Sequence, residues 1–228
     1  FAHLTCHSWG VAHTHYPVPQ VPELSVVTIA WIALAGILFG LTAAWFSRSI
    51  GFWGSHAKKL ISYPPLRPVV GGVVIALAVW ALGTTKYIGL GVPVIVESFT
   101  TQQMWYDFAL KLIFTTFTIG VGFKGGEVTP LFFVGATLGS ALAVIIPLPM
   151  SLLAAVGFVA VFSGATNTPI ACTLMGIELF GAEPGLYIGI ACVVAYLFSG
   201  HTGIYTAQVV GSPKNIIFWR EKGSKLHS

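Results

Sequence analysis

Apolar residues in this chain come in blocks, and the blocks differ in length. Residues 24–46 are 23 consecutive uncharged positions, enough for a bilayer-crossing helix of about 20 residues. A polar, basic stretch follows, carrying Arg48, Lys58, Lys59 and Arg67 and broken by Pro64, Pro65 and Pro68. Apolar character resumes over 69–82, but a helix of that length rises only about 21 Å, short of a hydrocarbon core. The Gly/Pro-interrupted stretch 88–96 is too short and too broken to span. A further helix is predicted over 104–120, with Asp107 and Lys111 near its start.

From Val128 to Ile177 no side chain is charged. Prolines and glycines divide this region into helices predicted over 128–146, closed by Pro147 and Pro149, and 151–162, closed by Ser163-Gly164. Next come 168–180, with Pro169 in its first turn, and 184–198, entered through Gly181 and Pro184. A last short helix is expected to begin near Ile204 and to lead into a polar tail. Several of these helices are too short to cross a membrane and start at Gly/Pro/Thr clusters. Irregular backbone at membrane depth is tolerated only where protein or a polar cavity surrounds it. The pattern therefore predicts an all-α, polytopic membrane fold with short, tilted and broken helices around an internal polar pathway.

Composition agrees with that reading. Charged residues make up 8% and mean hydropathy is +0.84, against about 25% charged in soluble domains. The net charge of +4 is small and local, and no nucleic-acid motif accompanies it. Residues 47–68 and 211–228 hold most of the basic side chains, whereas 83–107 holds one Lys, one Glu and one Asp. The positive-inside rule then places the first two in the cytoplasm and the third outside. The expected location is the cell membrane, multi-pass, with a cytoplasmic C-terminal tail.

Cys6, Cys172 and Cys192 have no paired spacing, and two of them lie in apolar runs. Neither a disulfide framework nor a metal site is expected from them. His3, His7, His13 and His15 have ligand-like spacing but precede a Pro-rich stretch, and metal binding is not expected there either. No cofactor and no catalytic residue is predicted. Ser163-Gly164 and His201 invite comparison with an intramembrane serine protease, but Val161 stands where a Gly-x-Ser-Gly motif needs glycine.

The chemistry concentrates at Gly125-Gly126-Glu127-Val128-Thr129-Pro130. Glycines let backbone N–H groups approach a ligand, and proline suits a helix's first turn. A helix N-terminus with open N–H groups and a positive dipole end attracts anions, and discontinuous helices of this kind mark transporter sites. Glu127 can complement the helix dipole. In an apolar setting an ionised carboxylate is costly, so a functional role is the default. Its charge opposes an anion, so it is expected to be protonated or to face a cation such as Lys124. Thr129 can cap the helix or donate to a ligand. Glu97 and Asp107 are expected near the outer surface in solvent, and Glu178 is read as structural.

Four stretches resemble the C-terminal half of CLC-type anion transporters: 125–130; Phe162 to Pro169 followed by Gly176 and Glu178; Ser199-Gly200-His201-Thr202-Gly203-Ile204-Tyr205; and Ile88-Gly89-Leu90-Gly91-Val92-Pro93. The central loop, with Val128 where the chloride type has Phe, is most similar to the fluoride-exporting branch. The resemblance implies the second inverted repeat of a CLC-type fold. It implies an anion site at Gly125, Gly126, Glu127, Val128, Thr129 and Tyr205, with Glu127 in proton coupling. Its implied partners are fluoride or chloride, protons, the lipid bilayer, and a second subunit through 168–180 and 184–198. The expected organisation is 1–23 as the end of a preceding helix and linker, 24–210 as the membrane half, and 211–228 as a basic tail. The first half of the pore is expected to be missing. The implied activity is fluoride/proton antiport, with chloride channel or chloride/proton exchange, or a non-transporting subunit, as alternatives.

Overall fold

The computed structural model describes residues 1–10, 16, 18–205, 207–210 and 214, apart from the side chains of residues 2, 3 and 7. The four N-terminal histidine side chains and nearly all of the tail lie outside this set. Among the described residues the regular structure is helical: α1 (Ala2–Ser8), α2 (Val26–Leu60), α3 (Leu66–Leu82), α4 (Val92–Glu97), α5 (Asp107–Gly120), α6 (Val128–Leu142), α7 (Met150–Thr166), α8 (Pro169–Phe180) and α9 (Gly185–Phe198).

α2 runs well past the expected end at residue 46. Ser25 caps it, its hydroxyl accepting from the Thr28 N–H at 3.1 Å. The helix continues through Arg48, Lys58 and Lys59 because charges end an apolar block without ending a helix; only Ile61 and the Pro64-Pro65 pair stop it. Its 35 residues extend about 52 Å, longer than a hydrocarbon core. Among the described residues α2 alone is long and apolar enough to cross a membrane unaided.

α7 also runs further than expected, through Ser163-Gly164 to Asn167, whose left-handed φ of 61° ends it. Gly164 persists inside the helix because a Cβ there would come within 2.9 Å of Ala43 and 3.3 Å of Ser199. α7 is buried along nearly its whole length, as expected for a helix apolar on every side. α2, α6, α8 and α9 surround it.

Small residues set these approaches. Gly135 and Gly139 on α6 lie against the backbone of α7 at Gly157 and Leu153, so that any Cβ would collide with a carbonyl. Gly36 and Gly40 on α2 face Ala191, Val194 and Ala195 on α9 in the same way. Both pairs have the Gly-x-x-x-Gly spacing by which helices in lipid approach closely without relying on water exclusion. The N-terminal linker is strapped onto this core. Tyr16 stacks on Phe99 with ring centroids 5.4 Å apart, and the Tyr187 hydroxyl donates to the Pro22 carbonyl at 2.9 Å.

Two further expectations are corrected. Among the described residues no helix begins near Ile204. The Ile204 N–H is bonded to the Ala165 carbonyl at 3.0 Å, and Asn167 Nδ2 donates to the Thr202 carbonyl at 3.1 Å. This loop's hydrogen bonds reach back to the end of α7 instead of building a helical turn. Asp107 is not solvated. It is 1% exposed and holds Lys86 Nζ at 2.6 Å, the Tyr87 hydroxyl at 2.6 Å and the Met104 N–H at 3.1 Å. Burial, and then the Asp107 hydrogen bond, raises the Tyr87 phenol well above its usual range, so it remains a donor.

Candidate functional site

The loop 121–127 leaves α5 and delivers the chain to the head of α6. Glu127 is the last residue before the helix, and its carbonyl accepts from the Leu131 N–H at 3.1 Å. Pro130 takes the first turn, so no N–H is lost there. The N–H groups of Val128 and Thr129 precede the first helical bond and have no partner within the helix.

Gly125 and Gly126 are exposed, and a Cβ on either would meet nothing within 4 Å. They are not needed for packing within this chain; they leave the way to the helix head open. Glu127 and Thr129 are half-buried and Val128 is exposed. The Glu127 side chain does not cap α6 and forms no ion pair with Lys124. The Thr129 hydroxyl has no hydrogen-bond partner among the described residues. Of the two roles the sequence left open for it, helix capping is therefore not the one observed.

A cavity of about 480 Å³ opens beside this helix head. α3, the 87–90 segment, α5, Phe123, Gly125, Gly126 and Pro130 line it. Glu127, Thr129 and Tyr205 are not among its lining residues. Tyr205 is 45% exposed, in the loop tied to the end of α7. The loop residues 125–130 thus stand together as read from the sequence, and Tyr205 belongs to a separate element.

Lys111 is the residue that sequence reasoning passed over. Its side chain is 1% exposed, and Nζ donates to the carbonyls of Gly89 at 2.6 Å and Tyr87 at 3.2 Å. The ammonium also lies 5.1 Å from the centroid of the Phe133 ring on α6. Gly91, at φ 73°, lets this corner close: a Cβ there would come within 2.5 Å of the same ring. The available signal was a lone lysine one turn after an aspartate on an apolar helix. Asp107 was expected in solvent and Lys111 was given no role, whereas both are buried and each has separate partners.

The protease comparison finds no support in geometry. The Ser163 hydroxyl donates to the Cys192 carbonyl at 3.0 Å, and His201 Nε2 accepts from the Lys214 N–H at 3.1 Å. Lys214, near the start of the 211–228 basic stretch, is inserted between the ends of α7 and α9. Its ammonium meets Ser199 Oγ at 2.9 Å, the Gly200 carbonyl and Asn167 Oδ1.

A family model described as voltage gated chloride channel matches residues 1–200. The chain is 51% identical over 214 residues to a chloride/fluoride channel protein of Pseudomonas syringae pv. tomato, an alignment covering 91% of this chain and 47% of that protein. It is 34% identical over 208 residues to a voltage-gated ClC-type chloride channel, ClcB, of Salmonella typhimurium, covering 83% and 49%. The solved structure of a CLC-type fluoride/proton antiporter superposes with a TM-score of 0.84 at 35% identity, over 89% of this chain and 51% of that one. A slow cyanobacterial Cl⁻/H⁺ antiporter superposes at 0.66 with 18% identity, a likeness of fold alone. The chain spans about half the length of the curated relatives it matches. Helical, built for a membrane and matched over most of its length, it belongs to the voltage-gated chloride channel family, whose members are multi-pass membrane channels and transporters.

Proposed function

We propose that this chain forms one half of an anion pathway in a transporter that exports fluoride in exchange for protons. The observation that carries the reading is the open head of α6, where unpaired N–H groups of Val128 and Thr129 and an unbonded Thr129 hydroxyl adjoin an unobstructed Gly125-Gly126. The likeness to a chloride/fluoride channel protein and to a fluoride/proton antiporter supports fluoride as the ion. Fluoride is small and strongly hydrated, so replacing its water requires several strong donors at once. Backbone N–H groups of Gly125, Gly126 and Val128 and the Thr129 hydroxyl are such donors, and the Tyr205 hydroxyl is assigned to the same set.

Glu127 gives the proton its place. An anion beside an ionised carboxylate is repelled, whereas beside the protonated acid it is accepted. The occupancy of the anion site and the charge on Glu127 are therefore linked, as antiport requires. A first half supplies the rest of the pathway, and the 24–210 membrane half ends in a cytoplasmic basic tail. α8 and α9 expose Ile170, Leu174, Leu186 and Val193, an apolar face suited to a second subunit.

Chloride transport is the second reading, favoured by the 34% identity to a chloride channel. Liposomes holding the purified full-length protein separate the two when fluoride and chloride efflux are measured in parallel with internal pH. Fluoride efflux with opposed proton movement is expected. Equal or faster chloride efflux overturns the fluoride reading, and fluoride efflux without any pH change overturns antiport.

A further inference from the structure

A buried cation without a counter-ion stands in the wall of the cavity beside α6. Lys111 projects from α5 into its wall with only 1% of the residue exposed. Among the described residues the one ion pair joins Lys86 to Asp107, so the nearest carboxylate on α5 is already engaged. No Asp or Glu lines the cavity. Two carbonyls take two of the three Lys111 N–H donors and the Phe133 ring lies 5.1 Å from the ammonium, but none of these neighbours carries a negative charge. An ammonium removed from water and lacking a negative partner is costly, and a small anion is the partner that would offset this.

The remaining polar lining suits the same ligand. Thr115, one turn beyond Lys111 on α5, lines the cavity and is half-buried. Its hydroxyl has no hydrogen-bond partner among the described residues. Gly125 and Gly126 line the cavity too, with nothing where a side chain would stand. A water molecule takes about 30 Å³ of liquid volume, so about 480 Å³ admits an ion that keeps part of its hydration shell. Apolar walls make up the rest, and in such surroundings a fixed charge acts more strongly than in water.

We propose that this cavity is a second anion station, distinct from the Glu127–Thr129 loop, in which Lys111 supplies the charge and Thr115 a hydrogen bond to a partly hydrated fluoride or chloride. The ion reaches Gly125-Gly126 from this side, so the glycine pair joins the station to the loop. The identity of the ligand rests on the anion-transport reading; the existence of the site does not depend on Glu127 or Thr129.

The test is isothermal titration of the full-length protein in detergent with sodium fluoride and, separately, sodium chloride. Wild type, Lys111→Met, Lys111→Arg and Thr115→Val are compared. Lys111→Met should bind one ion fewer per chain, or bind that ion at least tenfold more weakly. Lys111→Arg should keep it within about threefold. Thr115→Val should weaken it about three- to tenfold with an unchanged unfolding temperature. Wild-type stoichiometry and affinity in Lys111→Met overturn the station. Should Lys111→Met fail to fold, unchanged anion affinity in folded Thr115→Val overturns it. Binding that follows Lys111 in a protein that transports no anion sinks the transport reading alone, and transport with no Lys111-dependent binding sinks the station alone.

Discussion

Asp107 and Lys111 stand one turn apart on α5, both 1% exposed, and they do not pair with each other. Asp107 is held by Lys86, Tyr87 and the Met104 N–H; Lys111 is held by the carbonyls of Tyr87 and Gly89. Tyr87 is common to both sets, giving its hydroxyl to one and its carbonyl to the other. The 84–91 segment is thereby fastened to α5 at two levels, and the cavity wall depends on that fastening.

Asp107→Asn should destabilise the protein. It removes the charge that Lys86 meets at 2.6 Å and weakens the acceptor for Tyr87. Lys86 remains 27% exposed and can recover some hydration, so the loss should be about 1–3 kcal/mol, below that for a fully buried pair. Thermal unfolding in detergent should show a fall of several degrees. An unchanged midpoint would mean that the network contributes nothing to stability.

Gly139→Ala and Gly126→Ala should behave oppositely, although both are glycine-to-alanine changes in or beside α6. At Gly139 the new methyl would collide with the Leu153 carbonyl and lie 2.8 Å from Ala154 Cα. Forcing the helices apart costs about 1–3 kcal/mol or more, visible as lost yield or a broadened size-exclusion peak. At Gly126 the methyl meets nothing, so stability should stay within about 0.5 kcal/mol while anion flux falls. Equal stability of the two variants would contradict the close approach of α6 to α7.

Thr129→Val keeps the side chain's shape and removes the hydroxyl. A hydrogen bond to an ion contributes about 1.5–3 kcal/mol, roughly ten- to a hundredfold in affinity. Fluoride efflux in liposomes should fall by that order with no change in unfolding temperature. Undiminished efflux would remove Thr129 from the site.

Ser163→Ala should cost about 1 kcal/mol, because its hydroxyl contributes one buried bond to the Cys192 carbonyl. Anion flux should be unaltered in the folded variant. A loss of flux without a loss of stability would give Ser163 a part in transport that this bond does not explain.

The hydrophobic blocks and their punctuation were enough to establish the all-helical membrane character, and they place the starts of α6, α8 and α9 within one or two residues. Proline and glycine act there through local backbone geometry, which needs no distant partner. The 125–130 loop was legible for the same reason, since its open glycines and helix-starting proline lie within six consecutive residues. The end of α2 could not be read, because hydropathy records where lipid-facing character stops, while a helix stops where its backbone bonds do. Ile204 was read as helical, but a carbonyl on α7 claimed its N–H. Asp107 and Lys111 show the widest gap between sequence and structure. Whether a charge lies in water or in a core depends on which residues far along the chain fold over it, and Lys86, Gly89 and Phe133 meet these two side chains only after tertiary packing.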